Sequence, residues 1–249
     1  MSGIGTGYDL SATTYSPDGK VFQTEYAQKA VDNSSTVVGL KCKDGVVLGV
    51  EKVVVSKLLV ENSNRRVYNV DRHAGAAVAG LAPDGRMIVN RAMDEATNYK
   101  SFYGEPIPGH VLAERIASYV HLFNLYWSFR PFGSTLLLAA HDKSGPQLYC
   151  IEPSGTCVRY FGTAVGKGRQ AARNEIEKLN LKDMTARQAV TEVAKILHKV
   201  HDEDGKPFEL EVSWVCEESG GQHQRVPEAL MAEAVAAAKA AMADSDMDE

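Results

Sequence analysis

The sequence predicts an α+β protein of four layers, an αββα sandwich in which two antiparallel sheets pack face to face with helices on both outer surfaces. Three observations carry that expectation. Short β-branched runs come in turn-linked pairs, helical patterns follow them in pairs, and this alternation runs through all 249 residues without repeat or linker. Stacking the sheets and covering their outer faces with helices buries every apolar face. With 44% hydrophobic residues the chain can fill such a core as one domain.

Residues 1–15 are rich in Gly, Ser and Thr and are expected to form a mobile tail. In Ser16-Pro17-Asp18-Gly19 the proline fixes φ and the following pair closes a tight turn. Phe22, Tyr26 and Ala30 recur every four residues, predicting an amphipathic helix from about 20 to 32 that needs another surface to pack on. Thr36 to Cys42 and Val46 to Val50, on either side of Lys43-Asp44-Gly45, read as a hairpin. A second strand pair is expected at about 66–71 and 74–80, the four strands forming one sheet.

Helices are expected at about 83–102 and 108–127, the second with Leu112, Ile116, Tyr119, Val120, Phe123 and Trp127 on one stripe. Arg130-Pro131-Phe132-Gly133 stops that helix. Thr135 to Ala140 is apolar enough for a strand covered on both faces, and strands at about 147–151 and 156–161 complete a second sheet. Helices at about 168–179 and 185–200, a strand at about 208–216 and an alanine-rich helix from Pro227 through Ala243 close a single domain, 16–243. An acidic tail follows at 244–249.

Bulk properties exclude several classes of function. The net charge of -5 gathers at one end: without Asp244, Asp246, Asp248 and Glu249, 27 basic groups face 28 acidic ones. A near-neutral body with a local acidic tail argues against a dedicated nucleic-acid surface. Apolar runs such as Val46 to Val50 fall far short of the roughly 20 residues a membrane span needs. The first fifteen residues hold no basic group and no apolar run, so no targeting peptide is expected. Cys42, Cys150, Cys157 and Cys216 lack paired metal-ligand spacing and read as reduced, mostly buried thiols of a cytosolic or nuclear protein.

Several specific residues carry more information. Tyr8-Asp9, the block Ser16-Pro17-Asp18-Gly19-Lys20 with Gln23-Thr24-Glu25-Tyr26-Ala27 and Ala30, and Arg130-Pro131-Phe132-Gly133 before a strand resemble the α-type subunits of the 20S proteasome. The likeness covers nearly the whole chain and implies the fold of N-terminal-nucleophile hydrolases. Ile4-Gly5-Thr6-Gly7-Tyr8-Asp9-Leu10-Ser11, Asn69-Val70-Asp71-Arg72-His73 and the acidic tail are similar to one eukaryotic branch of that family.

Hydrolases of this fold use a chain-terminal hydroxyl whose own α-amine helps take the proton, with a carboxylate and a lysine beside it. Laying that pattern on this sequence puts Ser35, or Ser34, at the nucleophile, Glu51 at the carboxylate and Arg65 at the lysine. Each part is altered. An internal residue offers an amide nitrogen, which is no base, and arginine stays protonated where lysine would share its proton. No catalytic residue is therefore expected. A self-processing hydrolase, the alternative, requires cleavage after Asn33 or Ser34. A free-standing binding module using the acidic tail is a third reading.

The resemblance implies instead a seven-membered ring of different α subunits that caps a peptidase chamber, contacts the β ring, and binds regulatory-particle ATPases or other activators for ubiquitin-dependent degradation. No cofactor, nucleic acid or membrane is implied. Head-to-tail rings need two complementary faces, and the helix at about 20–32 is similar to the one that meets ring neighbours. Tyr8, Asp9, Pro17 and Tyr26 match the cluster that holds the gate open; the family often has arginine after Tyr-Asp, where this chain has Leu10. The family's activator-pocket lysine falls at Arg66, with Gly80 close by, and arginine keeps the charge while changing donor geometry.

Weaker signals point elsewhere. Gly3-x-Gly5-x-Gly7 lacks the flanking strand and helix of a dinucleotide site, and Gly166-Lys167-Gly168-Arg169 lacks the length and ending of a P-loop. His198 and His201, followed by Asp202, Glu203 and Asp204, read as a solvated helix end rather than a metal site. Ser245, followed by Asp246 and Asp248, suits an acidophilic kinase.

Overall fold

The computed structural model describes residues 7–60, 63–201 and 207–247, the side chains of 244–247 excepted. Gly3, Gly5, Asp202, Glu203, Asp204, Asp248 and Glu249 lie outside that description, as do the side chains of Asp244, Ser245 and Asp246. Helix α1 (Phe22–Asp32) leads into strands β1 (Val37–Lys41), β2 (Gly45–Val53), β3 (Val67–Asp71) and β4 (Ala74–Gly80). Helices α2 (Ala82–Tyr103) and α3 (Gly109–Leu122) precede β5 (Ser134–Asp142), β6 (Gly145–Ile151), β7 (Cys157–Tyr160) and β8 (Gly162–Val165). Then come α4 (Arg169–Ile176), α5 (Ala186–Val200), β9 (Phe208–Cys216), β10 (Gln224–Arg225) and α6 (Glu228–Met247). Among the described residues no helix is long and apolar enough to cross a membrane.

The strands form two five-stranded antiparallel sheets in the orders β10-β9-β2-β1-β8 and β3-β4-β5-β6-β7. The β1–β2 hairpin forms as the Asp44-Gly45 turn predicts. The expected single sheet of the first four strands does not form, because the second edge of β2 is taken along its whole length by β9, from Gly45 opposite Cys216 to Val53 opposite Phe208. Strand β4 instead pairs over seven positions with β5. Short β8 and β10, absent from the sequence reading, finish the edges of the first sheet.

Alternation along the strands builds three apolar layers. Val46, Leu48 and Val50 of one sheet meet Ala77, Ala79, Leu137, Ala139 and Leu148 of the other in the middle. Leu136, Leu138 and Ala140 face outward onto Ile88, Val89, Leu112 and Ile116 of α2 and α3. On the opposite side Val47 and Trp214 pack beneath Val190, Val193 and Leu197 of α5 and Leu230 and Ala234 of α6. Strand β5 is thus covered on both faces, as its unbroken apolar run requires.

Polar contacts also join the two sheets. The buried His223 ring donates from Nδ1 to Asn69 Oδ1 at 2.6 Å and accepts at Nε2 from the Ser213 hydroxyl at 2.9 Å, joining β3 to β9. Its backbone N–H donates to Arg72 O at 2.8 Å.

Two helices differ from the sequence reading. Helix α3 ends at Leu122, not near 127, because Asn124 Nδ2 donates to the carbonyls of Val120 and Pro153 and finishes the helix there. Trp127, expected on the buried stripe, is 79% exposed. Helix α6 runs past Ala243 to Met247, continuing its alanine-rich propensity into the acidic end.

Helix α1 starts just after the predicted turn, in which Gly19, at φ 74°, donates its N–H to Ser16 O at 2.9 Å. Its buried residues are Ala27 and Val31, against β4 and β5, rather than the expected stripe. Phe22 and Tyr26 stack at 6.2 Å along the margin, leaving Tyr26 39% exposed. The Arg130 motif anchors the start of α2: its guanidinium donates to Asp84 at 2.6 and 2.8 Å, and Gly133 N–H adds a bond at 2.9 Å. These bonds, Arg130 first, hold the Asp84 carboxyl below its ordinary value even though burial pushes the other way.

Candidate functional site

Where α1 turns into β1, residues Asn33 to Thr36 line a cavity of 360 Å³ together with Glu51, Lys167, Gly168 and His201. Thr36, almost wholly buried, donates its amide N–H to Glu51 Oε2 at 3.3 Å and accepts at Oγ1 from Gly168 N–H at 3.1 Å. Lys167 N–H donates to Ser34 O at 2.8 Å. Gly166, at φ 100°, lets that loop come so close that an added Cβ would lie 2.4 Å from Ser35 O. Asp32 pairs with Arg169 at 3.0 Å, fastening the end of α1 to the start of α4.

Glu51, where the catalytic pattern would put its carboxylate, lines this cavity, and its partner there is a residue that pattern does not name. His201 Nδ1 meets Glu51 Oε1 at 2.5 Å, and its ring stacks on Phe208 at 4.2 Å. His198 Nδ1 donates to Ala194 O at 2.8 Å and its ring also meets Phe208, at 4.9 Å. The two histidines are therefore packed against the protein rather than sitting at a solvated helix end. Arg65 does not line the cavity; it is exposed, and its carbonyl accepts from the Tyr68 hydroxyl.

At the other end of α1, the Tyr26 hydroxyl donates to Asp9 Oδ2 at 3.3 Å and Gln23 Nε2 donates to Asp9 O. The structure thus joins two of the four N-terminal residues singled out. Tyr8 and Pro17 are exposed. Arg66 and Gly80 are likewise brought together, with Arg66 Nη1 donating to Gly80 O at 2.8 Å. Gly80 adopts φ 107°, where a Cβ would sit 2.2 Å from Gly133 O. The four cysteines are free thiols, and burial pushes Cys42 and Cys150 up to about 12 and Cys157 to about 11, which keeps them unreactive.

A family profile described as "Proteasome subunit" matches residues 31–215, and a second, the N-terminal signature of A-type proteasome subunits, matches residues 8–30. The chain belongs to the proteasome α-subunit family. The alpha type-3 proteasome subunit of Spinacia oleracea is 63% identical over 249 residues, covering 100% of both chains. The protein of the same name from Dictyostelium discoideum is 54% identical over 248 residues, 99% of this chain and 100% of that one. The probable alpha type-7 proteasome subunit of Saccharomyces cerevisiae is 48% identical over 240 residues, 94% of this chain and 83% of that one.

Proteasome α subunits form the outer ring of the 20S core and are its non-catalytic class. The cavity geometry accounts for that in physical terms. The N–H that reaches Glu51 belongs to a peptide bond continuous with α1, so it donates and cannot accept a proton. The hydroxyl at Thr36 is buried and already bonded to Gly168. Ser34 and Ser35, where the catalytic pattern would put its nucleophile, line the cavity inside the chain, and the Ser34 hydroxyl donates to Val31 O at 2.7 Å.

Proposed function

We propose that this chain fills one place in a seven-membered ring of different α subunits, rests on a β ring, gates the passage of substrates, and docks regulatory-particle ATPases or other activators, in cytoplasm and nucleus. The observation that supports gating is the tie between Asp9 and α1, through Tyr26 and Gln23. It fixes the stem of the N-terminal segment to a helix whose buried residues are Ala27 and Val31. Tyr8 and Pro17 complete the gate cluster when neighbours supply their contacts, and Phe22, Tyr26 and Ala30 offer the surface a head-to-tail neighbour needs. Arg66 beside Gly80 suits a terminal carboxylate, a recurrent mode of tail capture.

In the assembled particle, Tyr26→Phe removes one hydrogen bond of roughly 1 kcal/mol and is expected to lower activator-stimulated peptide hydrolysis about threefold to fivefold, with Tyr8→Ala acting in the same direction. Labelling of the β-subunit nucleophiles by a small electrophile stays unchanged. Unaltered hydrolysis in both variants would count against the gate cluster. Ser245 is proposed as a phosphorylation site, since Asp246 and Asp248 follow it. Mass spectrometry of the native particle is expected to find phosphate there; its absence under every growth condition retires that assignment.

A further inference from the structure

We infer that Glu211, a buried carboxylate on β9, is the positioning residue that presents Arg66 to an activator's terminal carboxylate; this rests on the activator-docking reading above.

The Glu211 residue is only 4% exposed, and such a charge is costly unless donors surround it. They do. Glu211 Oε2 accepts from the Arg66 backbone N–H at 2.9 Å and lies 3.9 Å from Lys52 Nζ, while Oε1 accepts from Arg225 Nη2 at 3.1 Å. Lys52, itself buried, also pairs with Glu209 at 3.3 Å. Arg66 stands immediately before β3, at the edge of the second sheet, whereas Glu211 belongs to the first, so this bond crosses between sheets.

The consequence is a residue held at three points. Its N–H is fixed by Glu211, its carbonyl accepts from Val78 N–H at 3.0 Å, and its guanidinium is oriented by Gly80 O at 2.8 Å. Only one of the five guanidinium N–H donors is used by Gly80, so the planar fork keeps donors for a carboxylate. The sequence offers Arg66 with Gly80 and gives no sign of Glu211, which lies 145 residues away.

The test uses assembled particles and a pair of peptides, one ending in a free carboxylate and one amidated, each with a photoreactive group next to the end. Labelling of this chain, read by mass spectrometry, gives the carboxylate preference. Glu211→Leu, which removes the acceptor at similar volume, is expected to cut that preference about tenfold. Glu211→Gln, which keeps an acceptor for Arg66 N–H but drops the charge, stays within about threefold of the unaltered particle. Should the leucine variant not assemble, Glu211→Asp, too short to reach Arg66, replaces it with the same expected loss. Retained preference in the variant lacking the acceptor, or equal loss with Gln, overturns the positioning role. Failure of the docking reading looks different: the unaltered particle then shows no carboxylate preference, or Arg66→Ala leaves it intact.

Discussion

Gly75→Ala is expected to destabilise the chain by about 3 kcal/mol or more, a large fraction of the stability of a typical domain. A Cβ at that position would lie 2.1 Å from the His223 ring. The ring has no easy retreat, since Asn69 and Ser213 hold its two nitrogens and the Arg72 carbonyl fixes the backbone N–H of the same residue. Moving it breaks two buried hydrogen bonds and strands their partners, each at roughly 1–3 kcal/mol. Urea unfolding of the purified chain measures the loss. Combining Gly75→Ala with His223→Ala is expected to recover part of it, because the clash then has no second party. A single variant as stable as the parent would show that the sheets can part at His223 without cost.

Acidification is expected to weaken the fold through the same residue. Burial lowers the His223 pKa from 6.5 to about 4, so between those values the unfolded chain binds a proton that the folded chain refuses. The stabilising contribution is complete above pH 6.5, falls as pH drops, and levels off below about 4. Its full size is about 3 kcal/mol, of which about 2 are lost between pH 7 and pH 5. His223→Gln should flatten that slope; equal slopes for variant and parent would remove His223 as its source. Asp84 acts in a lower window, since its depressed carboxyl gives up its contribution only as pH falls below the ordinary aspartate range.

What the sequence disclosed follows from the range over which each feature is determined. The β1–β2 hairpin is written in Asp44-Gly45 and its flanking valines, and the double-sided burial of β5 is written in Thr135 to Ala140; both are local. The division of strands between sheets is not, because β2 chooses β9 far along the chain over β3 close by. Trp127 was misplaced since periodicity alone does not reveal that Asn124 has carbonyls to bind in another loop. His201 was read as solvated because its acceptor, Glu51, is 150 residues away. Tyr26 with Asp9 and Arg66 with Gly80 were reachable through motifs, while the buried seat under Arg66 was not.

The exposed aromatic and aliphatic side chains have a cost outside any ring. Trp127 at 79%, Phe102 at 87% and Leu58 at 93% exposure, with Tyr26 and Leu125, leave greasy area wetted on a solitary molecule. An orphan copy is therefore prone to clumping and to clearance by cellular quality control. Its steady-state abundance should follow the supply of its ring mates more closely than the level of its own message.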